Sequence, residues 1–123
     1  MEFESLSKNV LGAAIEVHKH LGPGLLESAY EECLAFELVQ KAHKIERQKP
    51  IPVVYKDIRL DCGYRIDILV DDALVLELKS VDCFSPVHEA QILTYMKFAQ
   101  KKIGLLINFN VTLLKNGIKR YVL

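Results

Sequence analysis

Two apolar runs, Ile66-Asp67-Ile68-Leu69-Val70 and Leu74-Val75-Leu76-Glu77-Leu78, are separated by Asp71-Asp72-Ala73, and a third, Ile103-Gly104-Leu105-Leu106-Ile107, follows a segment of helical pattern. Short apolar runs bounded by turn residues read as strands covered on both faces. A strand, a helix and a strand in that order form a crossover, which makes the run ending near Leu78 and the run ending near Ile107 parallel neighbours. The chain is thereby constrained to a layered α/β fold. Asp67 and Glu77 are the acidic residues inside these runs, and their relation depends on the turn. A two-residue Asp71-Asp72 turn pairs Asp67 with Leu76 and sends the carboxylates to opposite faces. A three-residue turn pairs Val70 with Leu74 and sets Asp67 across from Glu77, with Cβ atoms about 5 Å apart. Like charges so placed repel, an arrangement that makes sense around a divalent cation such as Mg²⁺, which takes carboxylate oxygens.

The chain has 123 residues, half of them hydrophobic, which is the size of one ordinary domain over residues 1–123. Sixteen basic residues balance sixteen acidic ones, so no global cationic field announces a nucleic-acid binder. Local patches remain available from Lys41, Lys44, Arg47 and Lys49, or from Lys115, Lys119 and Arg120. Cys33, Cys62 and Cys83 form no C-x-x-C pair and are odd in number, so they read as reduced thiols of a cytoplasmic protein. The start Met1-Glu2-Phe3-Glu4 is not that of a secretory leader, and no apolar run is long enough to span a bilayer, so a membrane role is not expected.

Leu6, Val10, Ala13, Ala14, Val17 and Leu21 recur at helical spacing from Ser5 to His20, and Gly22-Pro23-Gly24 breaks the pattern. A second helix is expected from about Leu25 to Ala42, with Leu26, Tyr30, Cys33, Leu34 and Leu38 as its apolar stripe. Ile51–Tyr55 and Ile58–Cys62 read as further strands, antiparallel to their neighbours, with a turn at Lys56-Asp57. Ser85-Pro86 has the form of an N-cap followed by proline at the first helical position, opening a helix to about Lys101 with Ile92, Tyr95, Met96 and Ala99 on its buried side. A last strand is expected from Ile118 to Val122.

Asp67, the Glu77-Leu78-Lys79 triplet and a later helix carrying Gln91 and Tyr95 resemble the PD-(D/E)xK nuclease superfamily, although Ile66 stands where the superfamily's name has proline. Gly24-Leu25-Leu26-Glu27-Ser28-Ala29-Tyr30 is similar to the signature of its GxxExxY family. Pro86–Gln91, Gly104–Phe109 and Gly117–Arg120 resemble that family too, so the likeness covers nearly the whole chain. The resemblance implies an α/β, restriction-endonuclease-like core: a mixed sheet flanked by helices, with two helices first, about four strands, a crossover helix and one or two final strands. It implies Mg²⁺ or Mn²⁺ held by Glu27, Asp67, Glu77 and the Leu78 carbonyl, with Asp67, Glu77 and Lys79 catalytic. Lys79 would orient the attacking water and stabilise charge gathering on phosphate. Gln91 and Tyr95, one turn apart, would contact the substrate or the metal's ligands, and His88 is a further candidate for a phosphate contact.

The function so implied is metal-dependent hydrolysis of phosphodiester bonds in DNA or RNA. The competing reading is a nucleic-acid-binding or protein-assembly module that keeps the fold without turnover; a hydrolase of another phosphoester is a third. Each residue also has an ordinary alternative. Glu77 with Lys79 forms a surface ion pair in many sheets. Glu27 would favour a helix dipole, and its place beside the apolar stripe argues that it points inward. Glu37 is a rival carboxylate in the middle of that stripe. His88 in a first turn serves equally as a cap, and His18, His20 and His43 read as surface groups. Tyr30 reads as packing, and Gly24 as backbone punctuation. Exposed sheet edges leave room for a homodimer or protein partner.

Overall fold

Apolar stripes at helical spacing produce three helices in the computed structural model, which describes residues 2–123: α1 (Glu2–Leu21), α2 (Glu27–Gln40) and α3 (Pro86–Ala99). The strands are β1 (Ile45–Pro50), β2 (Val53–Tyr55), β3 (Ile58–Leu60), β4 (Arg65–Val70), β5 (Leu74–Lys79), β6 (Ile103–Asn108) and β7 (Ile118–Val122). Five of them form one sheet in the order β1-β4-β5-β6-β7. Only β5 and β6 run parallel, joined by α3 as the crossover requires; the other pairs are antiparallel. This mixed sheet between helices is the restriction-endonuclease-like architecture.

Alternation along the central strands sorts their side chains between two cores. Ile68, Val70, Leu74, Leu76, Leu78, Leu105 and Ile107 pack under α1 and α2, against Val10, Ala14, Tyr30, Leu34 and Leu38. Leu69, Val75 and Leu106 face α3 and meet Ile92, Tyr95 and Met96. Each fully buried aliphatic side chain contributes about 1.5–3 kcal/mol. The alternation fails at one place. Ile66 joins the α3-side core together with Leu69, although Ile68 and Val70 point the other way, so β4 is bent at Asp67.

Three expectations are corrected. The strand Ile45-Glu46-Arg47-Gln48-Lys49-Pro50 was not anticipated, because its charged side chains give no apolar period; it is an edge strand, where charge is tolerated and useful. The β2–β3 hairpin does not continue into β4 and β5 but forms a separate two-stranded sheet. The second helix begins at Glu27, leaving Leu26 at the N-cap and 77% exposed rather than in the apolar stripe. The Gly22–Leu25 loop before it needs left-handed backbone at Gly22 and Gly24 (φ 68° and 96°). Tyr30 ties that loop down: stacked on Phe109, it donates its hydroxyl proton to the Gly22 carbonyl (2.6 Å) and accepts from the Leu25 N–H (3.1 Å).

His18 is buried, bonded through Nε2 to the Val111 carbonyl at 2.7 Å, and is not the surface group expected. The three cysteines are free thiols. Among the described residues no helix is long and apolar enough to cross a membrane.

Candidate active site

The β4–β5 turn is the three-residue form, with Val70 paired to Leu74, Leu69 to Val75 and Ile68 to Leu76. One step beyond the last ladder pair, the side chains of Asp67 and Glu77 each reach the other strand. The regular ladder stops there, and the side chains take over the backbone donors. The Asp67 N–H donates to Glu77 Oε2 (2.9 Å), and the Leu78 N–H donates to Asp67 Oδ2 (2.8 Å). Each carboxylate is thus anchored to the facing strand through one oxygen.

These bonds do not offset the loss of water. Glu77 is only 4% exposed, and burial, followed by the charge of Asp67, pushes its carboxyl up to about 8; the Asp67 N–H and the Lys79 ammonium pull the other way. Asp67 is raised too, by burial first and then by the charge of Glu31, against the Leu78 N–H and Lys79. Lys79 closes β5 beside Glu77 and pairs in register with Asn108 of β6. Buried Asn108 fixes the chain beyond it, accepting from the Val81 N–H (3.1 Å) and donating to the Val81 carbonyl (2.8 Å). Ser80 Oγ donates to the Leu25 carbonyl (2.7 Å), which fastens the end of β5 to the start of α2.

That fastening brings α2's acidic residues toward the pair, though not as expected. Glu27 is exposed at the first turn of α2 rather than turned inward, and its charge reaches Glu77 only as a minor influence. Glu31, one turn further along the same face, is the buried one. It accepts from Gln48 Nε2 (2.7 Å) and Arg47 Nε (3.0 Å), and Gln48 Nε2 also reaches Asp67 Oδ1 at 3.4 Å. Sequence reasoning passed over Glu31 and Gln48 and read Arg47 only as part of a basic patch; the one available signal was the four-residue spacing of Glu27 and Glu31. Glu37 lines a hollow between α1 and α2 with Glu16, His20 and Cys33, apart from these groups.

On the α3 side, Gln91 Nε2 donates to the Tyr95 hydroxyl at 2.8 Å, leaving the phenol proton free to be donated. Burial and the charge of Glu77 raise Tyr95, which keeps it a phenol. His88 spends Nδ1 on the N-terminus of α3, accepting from the Ser85 N–H at 3.1 Å. It acts as a cap in this structure.

Among the described residues no three or more His, Cys, Asp or Glu side chains are grouped as a ready ion cage. The facing pair nevertheless fits a hard divalent cation. Among the described residues, buried Glu77 and half-buried Asp67 have no cationic side chain within hydrogen-bond reach, and Glu77 Oε1 accepts no hydrogen bond. Oxygen ligands of this kind suit Mg²⁺ or Mn²⁺. Asp67 and Glu77 would hold it, with the Leu78 carbonyl between Glu77 and Lys79, and with Glu27 if its side chain turned in. Glu31 is already committed to Arg47 and Gln48.

A family model described as PD-(D/E)XK nuclease superfamily matches residues 4–121 of the chain. No curated protein and no solved structure gave a match.

Proposed function

The chain belongs to the PD-(D/E)XK nuclease superfamily, and from that premise we propose that it is a divalent-metal-dependent nuclease cutting phosphodiester bonds at Asp67, Glu77 and Lys79. Members of the superfamily generally use divalent metals. The observation that carries the reading is the half-buried Asp67 carboxylate beside buried Glu77, each accepting a backbone N–H from the other's strand, with Lys79 two residues on from Glu77. A charged carboxylate at Glu77 costs several kcal/mol unless something answers its charge, so the metal-free acid is driven toward its neutral form and a bound cation would restore the charged one. The GxxExxY assignment, resting on Gly24, Glu27 and Tyr30, is part of this proposal.

When bound, the metal would polarise a phosphoryl oxygen and make water more acidic. The chain's own groups do the rest. Lys79 supplies a fixed positive charge where phosphate oxygens gather negative charge, in a setting where burial strengthens it. It also orients the attacking water by hydrogen bonding. The Tyr95 phenol, held by Gln91, donates a hydrogen bond toward the substrate phosphate. Arg47, Glu31 and Gln48 act through Asp67: they set the direction of its second oxygen and do not touch substrate.

The test is incubation of native protein with single-stranded and duplex DNA and RNA in Mg²⁺ or Mn²⁺, beside Glu77→Ala and Lys79→Ala. Cleavage by the native protein and its loss in both variants is the expected result. Cleavage that survives both changes belongs to a contaminant, and no cleavage with no metal bound leaves the non-catalytic module.

A further inference from the structure

Along α3, an open hollow of about 380 Å³ is lined by Tyr64, Tyr95, Val87 and Phe98 and by Val53 of β2, with Gln91 as a polar neighbour. The Tyr64 ring is 46% exposed and lies 5.9 Å from the Tyr95 ring at 55°. A second cavity, of about 660 Å³, continues past Ile51 and Phe98, which line both, and brings in Lys49, Arg59, Lys97 and Lys101. Lys49 and Lys101 are paired with Glu46 and Asp72; Arg59 and Lys97 have no ion-pair partner among the described residues. Tyr95 joins this run to the catalytic pair, since its hydroxyl holds Gln91 and feels the charges of Glu77 and Asp67.

We infer that the substrate of the site is single-stranded DNA, one unpaired base lodging against Tyr64 and Tyr95 while the neighbouring phosphates follow the four cations. The inference deepens the nuclease reading and rests on it. An aromatic ring left half-exposed inside an apolar cavity offers what an unstacked base seeks, a flat π face away from water. Bases within a duplex are already stacked and paired and reach such a cavity only by flipping out. The cations suit a phosphate backbone, and they are local, which reconciles nucleic-acid binding with a net charge of zero. The residues shared by the two cavities are Ile51 and Phe98, whose side chains offer a ribose 2′-hydroxyl no hydrogen-bond partner. Deoxyribose crosses that stretch without burying an unsatisfied polar group, so DNA is favoured over RNA.

The hairpin has a role in this scheme. Val53, Val54 and Arg59 make it one wall of both cavities, a small recognition element added to an otherwise bare core.

The experiment reads binding without turnover. Fluorescence anisotropy in EDTA follows a labelled DNA strand of ~12 nucleotides, the blunt duplex of the same sequence and the matching RNA strand. The partners are the native chain, Tyr64→Ala, Tyr64→Phe, Arg59→Ala and Lys97→Ala, each checked by its melting curve. Single-stranded DNA is expected to bind most tightly. Tyr64→Ala should weaken it about tenfold, the loss of one stacked base, and Tyr64→Phe should restore it. Arg59→Ala and Lys97→Ala should each reduce the salt dependence by about 0.7 in slope.

Duplex binding as tight as single-strand binding, or a folded Tyr64→Ala with unchanged affinity, overturns the base pocket; RNA binding as tight as DNA overturns the choice of sugar. These failures are separable from failure of the nuclease reading. A lost pocket with cleavage still dependent on Lys79 leaves the nuclease standing. A confirmed pocket without cleavage of any substrate leaves only a single-strand binder.

Discussion

The molecule contains two hairpins of the same local kind in opposite surroundings. Both β2–β3 and β4–β5 are antiparallel and turn through left-handed residues, Lys56 in the first (φ 55°) and Asp71 with Asp72 in the second (φ 52° and 53°). The β4–β5 hairpin has β1 and β6 on its flanks and helices on both faces, and nearly all of it is buried. The β2–β3 hairpin has no third strand and leaves Tyr55, Ile58 and Leu60 largely in water. Environment therefore decides what the motif does. Where water is excluded, burial and the neighbouring Asp67 charge push the Glu77 carboxyl far above its usual range, as at sites that do chemistry. Where water is present, apolar side chains and Arg59 make a surface for recognition. An isolated two-stranded sheet is at best marginally stable by itself, so the outer hairpin depends on the walls it shares with α3.

The sharpest way to break the comparison is to remove a charge from each hairpin. Lys79→Ala should lower the cleavage rate by a factor of about 10² to 10³, the scale of losing one positioned donor to a transition-state charge, with the melting curve little changed. Lys56→Ala, at the tip of the outer hairpin, should leave the rate within about twofold, since its side chain lies over Tyr55, away from the carboxylates. Equal losses from both changes would refute the division of labour. The next largest contrast is in stability. Leu76→Ala empties a site with no exposed surface and should cost about 2–5 kcal/mol in urea unfolding, whereas Ile58→Ala, 55% exposed, should cost no more than about 0.5 kcal/mol.

The inner hairpin was legible in the chain because two signals agreed there. The apolar period marked the strands, and the spacing of Asp67 and Glu77 made sense in only one of the two registers once a cation was considered. The crossover and α3 were legible for a similar reason, since Ser85-Pro86 announces the helix and Ile103–Ile107 can only be a covered strand. What could not be read was set by tertiary contact. Ile45–Pro50 carries glutamate, arginine, glutamine and lysine, and only its ladder with β4 makes it a strand. Gln48 adopts φ 51°, a conformation no sequence pattern assigns to glutamine, and its bond to Glu31 exists only when that strand lies beside α2. Glu27 was expected inside beside the Tyr30, Leu34 and Leu38 stripe, but the helix begins at Glu27 itself and leaves it exposed in the first turn, while Glu31, one turn on, is covered through its bonds to Arg47 and Gln48 of a strand with no apolar period.

The inner pair also predicts how stability follows pH. Glu77 has a folded-state value near 8 against an unfolded value of 4.5, so the fold prefers the protonated acid. This preference supports the metal-free protein fully below about pH 4.5 and is lost as pH rises toward 8. Thermal melts in EDTA should therefore show stability from this group falling across that window, and Glu77→Gln should flatten the fall. Mg²⁺ or Mn²⁺ should raise the melting temperature more at about pH 8 than at about pH 5, because the ion binds the ionised pair and must displace a proton at the lower pH. A metal effect independent of pH, or one that survives Glu77→Gln, would remove the pair from the metal site.

The smallest expected effect lies at the turn that fixes the register. The Asp71 carboxylate bonds His43 Nδ1 (2.8 Å) and accepts the Lys44 N–H (2.8 Å), and although its partial burial acts upward, these bonds hold it below the usual carboxylate range. A depressed folded value contributes stability that is present above the unfolded 3.8 and is lost as pH falls through the folded one. The side chain is 38% exposed, so screening limits the contribution to roughly 0.5 kcal/mol. Asp71→Asn should cost about that much near neutral pH, and nothing once the native carboxylate is protonated in strong acid. Among the described residues no comparable carboxylate lock secures the Lys56-Asp57 turn. Amide exchange in Asp71→Asn should therefore quicken near Ala73, toward the rate of the outer hairpin, while the Ile68–Leu76 pairing stays protected because the sheet on both sides holds it. If exchange instead rises along the whole of β4 and β5, the register is set by the turn rather than by burial, and the two hairpins are more alike than their surroundings suggest.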